Sequence, residues 1–374
     1  MKNRILILTA GFGEGHNSAA RGVRDGLARV APVGTEIELR DLFPETYGAI
    51  NEIVRRAYLG VISRWPGSWG YVYRWLDNIT NFDQRFERFS RLKQQLGRLL
   101  KRFQPDVVVS TFPPYPYLLR QIFGADRRCK SVVVITDSIT VNAIWYRCDA
   151  DYFLAPNEQS AAVLRAGGVP PGKIKNFGFP VSPKFADFAL DRQSPNYRDS
   201  RPLSELPASG SDCRVLYMIH AATRGAPELV RGLARLGVDL TVTIGRAETL
   251  RPAIKEAAGT SKTKIVGWTD ELPRILHESR LLIGKAGGAT VQETIAAACP
   301  MIINHVVSGQ EEGNARLIVE TNSGVIALSP AEVIAQVQGA FADGAKQWRE
   351  WAANISRLSR PRASLDIAEF LLSL

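Results

Sequence analysis

The chain has 374 residues, 45% hydrophobic and 22% charged, with 47 Lys plus Arg against 37 Asp plus Glu for a formal net charge of +10. That length exceeds one ordinary core and fits two domains, the composition is that of a globular protein, and no apolar run is long enough to cross a bilayer. The 4 cysteines, Cys129, Cys148, Cys213 and Cys299, show neither close pairing nor metal-ligand spacing, which argues against a disulfide framework or zinc site and fits reduced thiols in the cytoplasm.

Met1 to Arg4 followed by an apolar stretch has the outline of a secretion signal. It runs at once into Gly, Glu and His without a small-residue cleavage site, so Arg4 to Thr9 reads as a first strand. The loop Gly11-Phe12-Gly13-Glu14-Gly15-His16 follows, then a helical pattern from Ala19 to Val30. Further strands are expected at Glu36–Asp41, Val107–Thr111, Ser131–Thr136 and Asp151–Ala155, with a helix over Phe89–Phe103. Such alternation implies a parallel, doubly wound sheet.

Between Asn51 and Pro105 basic residues outnumber acids and are interleaved with aromatics, among them Trp65, Trp69, Tyr71 and Trp75. Those residue types suit an anionic bilayer surface, where each nearby cation adds about 1 kcal/mol. They equally suit a helix whose aromatics fill the core. A nucleic-acid groove uses the same types, but no recognition motif accompanies them, and no nucleic-acid partner is expected.

Residues 1–190 thus form one Rossmann-like domain. Residues 191–211, rich in Pro, Ser and Asp without periodicity, read as a linker or surface excursion. A second alternating pattern occupies 212–346, with strands at Arg214–Ile219, Asp239–Ile244, Lys264–Val266, Arg280–Gly284 and Met301–Asn304. Residues 347–374 are helical in pattern. In open α/β sheets ligands bind at the carboxyl ends of the strands, where the glycine loops of both halves fall.

The densest motif is Lys285-Ala286-Gly287-Gly288-Ala289-Thr290-Val291-Gln292-Glu293, followed by Gly309-Gln310-Glu311-Glu312-Gly313-Asn314. A glycine pair at a strand end opens a helix whose first N–H groups can hold a diphosphate. Glu293, in that helix, can accept hydrogen bonds from ribose, and Gln310 with Glu311 can read a hexose. This is a pattern for a nucleotide sugar. Elsewhere, Thr136-Asp137 ends an apolar strand, where the Asp can orient a histidine, hold an acceptor hydroxyl or merely cap a turn. Asp149-Ala150-Asp151 has the form of an Asp-x-Asp metal-binding triplet but lacks the single-domain context in which such triplets hold a metal, so no metal is expected.

The Lys285–Glu293 and Gly309–Asn314 blocks, with the glycine loop ending in His16, resemble the glycosyltransferases that include monogalactosyldiacylglycerol synthase and processive diacylglycerol glucosyltransferase, and more distantly the lipid II glycosyltransferase of peptidoglycan synthesis. The resemblance implies a GT-B fold: two Rossmann-like domains with parallel sheets facing a central cleft, and a C-terminal segment crossing back onto the first. It implies an inverting, metal-independent hexosyltransferase of glycolipid synthesis, with a UDP-hexose donor, no cofactor and a lipid acceptor such as diacylglycerol. It also implies peripheral attachment to the anionic inner face of the cell membrane. His16 becomes the base and Asp137 its partner, with Gly13, Gly15, Trp65, Trp69, Tyr71 and Trp75 on the acceptor and membrane side. Gly267, Trp268, Lys285, Gly287, Gly288, Thr290, Glu293, Gln310, Glu311 and Asn314 become donor-binding residues, Trp268 either shaping a uracil pocket or filling core.

Two departures stand out. Family members carry a His downstream of the Thr-Asp pair where this chain has Asn142, while Trp145 is kept. After the strand ending at Ile219 the usual glycine cluster is replaced by His220-Ala221-Ala222-Thr223-Arg224-Gly225-Ala226, where Cβ atoms crowd positions that need φ > 0, and Arg224 or His220 could supply charge instead. Two alternatives stay open. One is a UDP-sugar epimerase or hydrolase on the same fold; the other is a nonenzymatic binder of lipid or nucleotide sugar.

Overall fold

The computed structural model describes residues 3–48, 82, 86–124, 126–193, 213–220, 225–307 and 311–374. Trp65, Trp69, Tyr71, Trp75, Gln310, Arg224 and most of the expected linker lie outside them. The chain folds as two compact units: Met1–Pro183 with Val307–Gly313 and Arg362–Leu374, and Lys184–Val306 with Asn314–Pro361.

In the first unit β1 (Arg4–Thr9), β2 (Glu36–Asp41), β3 (Val107–Ser110), β4 (Lys130–Val134), β5 (Tyr152–Ala155) and β6 (Ile174–Asn176) form a parallel sheet in the order β2-β1-β3-β4-β5-β6. Ile5, Leu6, Ile7 and Leu8 of β1 are wholly buried, as a strand covered on both faces requires. Each such side chain contributes roughly 1.5–3 kcal/mol of hydrophobic stabilisation. The described α-helices of its Met1–Pro183 part are α1 (Glu14–Val30), α2 (Leu42–Tyr47), α3 (Ser90–Phe103), α4 (Pro114–Phe123) and α5 (Glu158–Ala166). Helix α1 presents glycines where backbone comes close: a Cβ on Gly22 would lie 1.7 Å from the Pro180 carbonyl oxygen.

The second unit has β7 (Arg214–Met218), β8 (Asp239–Gly245), β9 (Lys264–Gly267), β10 (Leu281–Lys285), β11 (Met301–His305) and β12 (Gly324–Ile326), in the parallel order β12-β11-β10-β7-β8-β9. Around it lie α6 (Lys184–Gln193), α7 (Ala226–Arg235), α8 (Arg251–Ala258), α9 (Leu272–Glu278), α10 (Gly288–Ala296), α11 (Glu312–Glu320), α12 (Pro330–Phe341) and α13 (Lys346–Leu358). The expected parallel, doubly wound sheets are both present. In each, strand order reverses at one point, between β1 and β3 and between β7 and β10, and at such switch points ligands bind outside the carboxyl ends of the strands.

The helical segment read as 347–374 is two helices. Trp348 and Trp351 of α13 are buried in the core of the second unit, Trp348 donating its indole N–H to the Arg280 carbonyl at 2.6 Å. Only α14 (Ala363–Leu372) packs with the first unit, against α1, where a Cβ on Gly26 would come within 2.2 Å of the Ser364 carbonyl oxygen. Pro361 stands between the two helices, and its ring cannot continue α13.

Candidate active site

In the first unit the chain leaves β1 into a loop held from beside and below. The Asp41 carboxylate, at the end of β2, accepts the Gly11 N–H at 2.8 Å and the Phe43 N–H at 3.0 Å. Burial pushes that carboxyl above its usual range while the two N–H groups pull it down. The Tyr115 hydroxyl donates to the Thr9 carbonyl at 2.8 Å and accepts the Leu42 N–H at 3.3 Å. Gly13 caps α1 in an extended conformation, and Gly15 and His16 fall in the first turn.

His16 Nδ1 lies 2.8 Å from the Thr111 carbonyl oxygen and 3.0 Å from Thr136 Oγ1. A carbonyl can only accept, so Nδ1 carries the proton of the neutral ring and Nε2 keeps its lone pair. The ring sits edge-on to Phe112, with centroids 5.1 Å apart, and 5.8 Å from the Trp145 ring. Burial pushes the imidazole pKa below the ordinary histidine value, while the Asp137 carboxylate and the Thr111 carbonyl pull it back up. Asp137 Oδ2 accepts the Trp145 indole N–H at 2.7 Å. Asn142, at the position of the missing histidine, caps the short turn Ala143–Trp145 by accepting the Ile144 N–H at 3.0 Å, and so presents Trp145 to Asp137.

The segment from Asp137 to Asn142 is tightly fixed. Ile139 takes φ +58°, a left-handed backbone that a β-branched residue adopts only under strain. Its N–H donates to Ser160 Oγ at 3.1 Å. Gly313 packs on the same turn, where a Cβ would meet the Ser138 carbonyl oxygen at 2.1 Å and Thr140 Oγ1 at 2.4 Å. Glu311 is 6% exposed, and its Oε2 accepts the Val307 N–H at 3.0 Å, closing the described ends of that loop on each other. The triplet Asp149-Ala150-Asp151 is structural: the Asp151 carboxylate takes Arg127 Nη2 at 2.7 Å and the Ser131 N–H at 2.8 Å.

In the second unit Lys285 ends β10, Gly287 caps α10 in an extended conformation without a side-chain cap, and Gly288 and Thr290 lie in the first turn. The N–H groups there point out of the helix start, a ready seat for phosphate. Glu293 is half-buried one turn further on. Asn314 donates to the Ala286 carbonyl at 3.1 Å, and Ala286 N–H to the His305 carbonyl at 3.0 Å, so both hold the turn between strand and helix. Trp268 follows β9 and is 66% exposed, which removes the core reading; the Arg246 guanidinium stands 5.7 Å from its ring centroid. A Cβ on Gly267 would lie 2.4 Å from Glu248 Oε1, the end of an exposed side chain that can swing aside.

The structure thus gathers His16, Asp137, Thr136 and Trp145 in one unit and Lys285, Gly287, Gly288 and Thr290 in the other. The sequence reading missed Thr111, which acts through its backbone and carries no side-chain signature, and His305, which belongs to no motif.

Residues 16–181 match the family model described as monogalactosyldiacylglycerol (MGDG) synthase. The chain is 26% identical to a protein of Oryza sativa subsp. indica named probable monogalactosyldiacylglycerol synthase 2, chloroplastic, over 98% of this chain and 79% of that one. It is 24% identical to the processive diacylglycerol beta-glucosyltransferase of Bacillus subtilis (strain 168), over 91% of this chain and 87% of that one. The resemblance to this glycosyltransferase family holds. Solved structures give the same fold: a UDP-GlcNAc 2-epimerase of Neisseria meningitidis bound to UDP-GlcNAc aligns with a TM-score of 0.60 and 13% identity over 99% of this chain and 100% of that one. MurG of Acinetobacter baumannii aligns at 0.58 and 12%, over 100% of both. Likeness at that identity is a likeness of fold, and a GT-B fold accords with the two parallel sheets. The family model spans His16, Thr111, Thr136, Asp137 and Trp145 and stops short of the donor motifs.

Proposed function

We propose that the protein is an inverting hexosyltransferase that moves a hexose from a UDP-sugar to the hydroxyl of a lipid, diacylglycerol, at the cytoplasmic membrane face. The observation that carries the reading is His16: its proton is fixed on Nδ1 by the Thr111 carbonyl, so a desolvated, neutral Nε2 is left to take a proton. As the lipid oxygen forms its bond to the anomeric carbon, its proton passes to Nε2. The bond from that carbon to the diphosphate oxygen breaks, and the electron pair leaves with UDP. Asp137, held by Trp145, faces the imidazolium that forms and stabilises it.

The donor side rests on the glycine-opened helix α10, whose N–H groups and macrodipole suit the departing diphosphate without a metal ion. A UDP donor accords with the UDP-GlcNAc-bound neighbour, and a diacylglycerol acceptor with the names of the relatives. Among the described residues no helix is long and apolar enough to cross a membrane, and attachment at the surface accords with the net charge of +10. Transfer of label from a panel of radiolabelled UDP-hexoses to diacylglycerol in anionic vesicles with EDTA tests the whole reading. A labelled, EDTA-resistant glycolipid supports it, and UDP binding without any product overturns the transferase assignment.

A further inference from the structure

The His16 ring has polar neighbours and apolar ones. Thr111 and Thr136 meet Nδ1, while the Phe112 and Trp145 rings adjoin the imidazole at 5.1 Å and 5.8 Å between centroids. Phe112 is the first of a set of packed rings. It stacks with Phe12 of the glycine loop, with centroids 5.8 Å apart and planes within 13° of each other. Phe43 of α2 stands edge-on to both, 5.1 Å from Phe12 and 5.5 Å from Phe112, at interplanar angles of 85°.

The three rings differ in exposure. Phe43 is 5% exposed and belongs to the core, whereas Phe12 and Phe112 are half-buried just past the carboxyl ends of β1 and β3, the edge at which ligands bind in such sheets. The Ser110 hydroxyl donates to the Phe112 carbonyl at 3.0 Å, and the Asp41 carboxylate takes the N–H of Gly11, next to Phe12, so the backbone under each ring is fixed. A seat for a sugar or a phosphate is lined with hydrogen-bond donors and charges. The described rings beside the base offer hydrocarbon faces instead, held in place by edge-to-face contacts. Their complement is an acceptor whose hydroxyl stands next to an apolar body.

We propose that Phe12 and Phe112 determine acceptor specificity: their faces form an apolar platform that seats the hydrocarbon of the lipid next to its reacting hydroxyl and keeps water away from His16. The proposal rests on the transferase reading given above. Water competes for the same step, since its oxygen can bond to the anomeric carbon while its proton passes to His16 and the electron pair of the broken bond leaves with UDP, giving free hexose. A base open to water would therefore hydrolyse the donor between transfers. Water against an apolar wall gives up hydrogen bonds, whereas the methylenes of a lipid gain by leaving water to reach it.

The partition between the two products reads this out. A radiolabelled UDP-hexose is supplied with dioctanoylglycerol in detergent micelles, and labelled glycolipid and free labelled hexose are counted separately. The wild-type protein is expected to release hexose at less than about one-tenth of the rate of glycolipid formation, and Phe12→Gln and Phe112→Gln to raise that ratio by roughly tenfold or more while UDP affinity is kept. Phe12→Leu, which retains an apolar face, is expected to stay within about threefold of the wild-type ratio. A merely structural role would lower both products together and leave their ratio alone.

The Phe12 variants, on a half-exposed loop position, decide the matter by themselves if Phe112→Gln does not fold. A ratio unchanged in Phe12→Gln, or raised as far in Phe12→Leu as in Phe12→Gln, overturns the platform and leaves the transferase reading standing. No glycolipid from the wild-type protein with any UDP-hexose overturns both.

Discussion

Replacing Asp137 by Asn tests what holds the His16 imidazole. At an effective dielectric of about 20, unit charges about 5 Å apart interact by roughly 3 kcal/mol. Asp137 is half-exposed, so water reduces this to about 1 kcal/mol, somewhat under one pH unit in the His16 pKa. The carboxylate raises that pKa, so its loss lowers it further. Activity that needs neutral His16 falls as pH drops through this value; in Asp137→Asn the acid limb of the kcat/KM profile therefore moves to lower pH, by about one unit or less. A weaker base abstracts the proton more slowly, by roughly threefold if half of the basicity change is felt in the transition state. The drop should stop there. Where a carboxylate alone holds the tautomer, its amide costs about 10⁴-fold, whereas here the Thr111 carbonyl holds Nδ1–H and is untouched. Initial rates of glycolipid formation from pH 5 to 9 decide it. A loss above a thousandfold, or an acid limb displaced upward, refutes the tautomer argument.

Glu293→Ala should weaken UDP binding by calorimetry, about tenfold for the loss of charge-assisted bonds to ribose hydroxyls, with thermal stability kept because the residue is only half-buried. His16→Ala should leave that binding intact and lower turnover by about 10²- to 10⁴-fold, and unchanged turnover removes the base assignment. Gly22→Ala puts a methyl 1.7 Å from the Pro180 carbonyl oxygen and should destabilise the first unit by about 3 kcal/mol or more, read in urea unfolding as a lower midpoint. Glu311→Gln exchanges a charged acceptor for a neutral one at the Val307 N–H, so it should cost about 1 kcal/mol and lower the melting temperature by a few degrees.

The central strands were legible because strands covered on both faces are unbroken apolar runs, as Ile5 to Leu8 and Leu281 to Ile283 are. β6 and β12 were not, since 3 residues each at a sheet edge carry no periodicity. Helix α14 was read as continuous with α13 because both have apolar faces; only Pro361 marks the place where the chain passes from one core to the other. At the site, His16, Asp137 and the glycine pair were legible as side-chain chemistry at strand ends. The Thr111 carbonyl was not, because any residue offers one, and its aim is set by where β3 ends. His220 and His305 are 85 positions apart, a separation only the strand order β11-β10-β7 removes.

Each sheet carries a desolvated histidine at its switch point, and the neighbours decide which of them suits proton abstraction. Beside His16 the charged influence is a carboxylate, so the imidazolium, once formed, is welcomed; a ring neutral at rest and stabilised when charged is what proton abstraction requires. Beside His220 the influences are a second imidazole and an ammonium, so the imidazolium is penalised. A base placed in that second setting would resist the proton it must accept. The charge beside each imidazole therefore favours His16, and not His220, as the base of the proposed reaction.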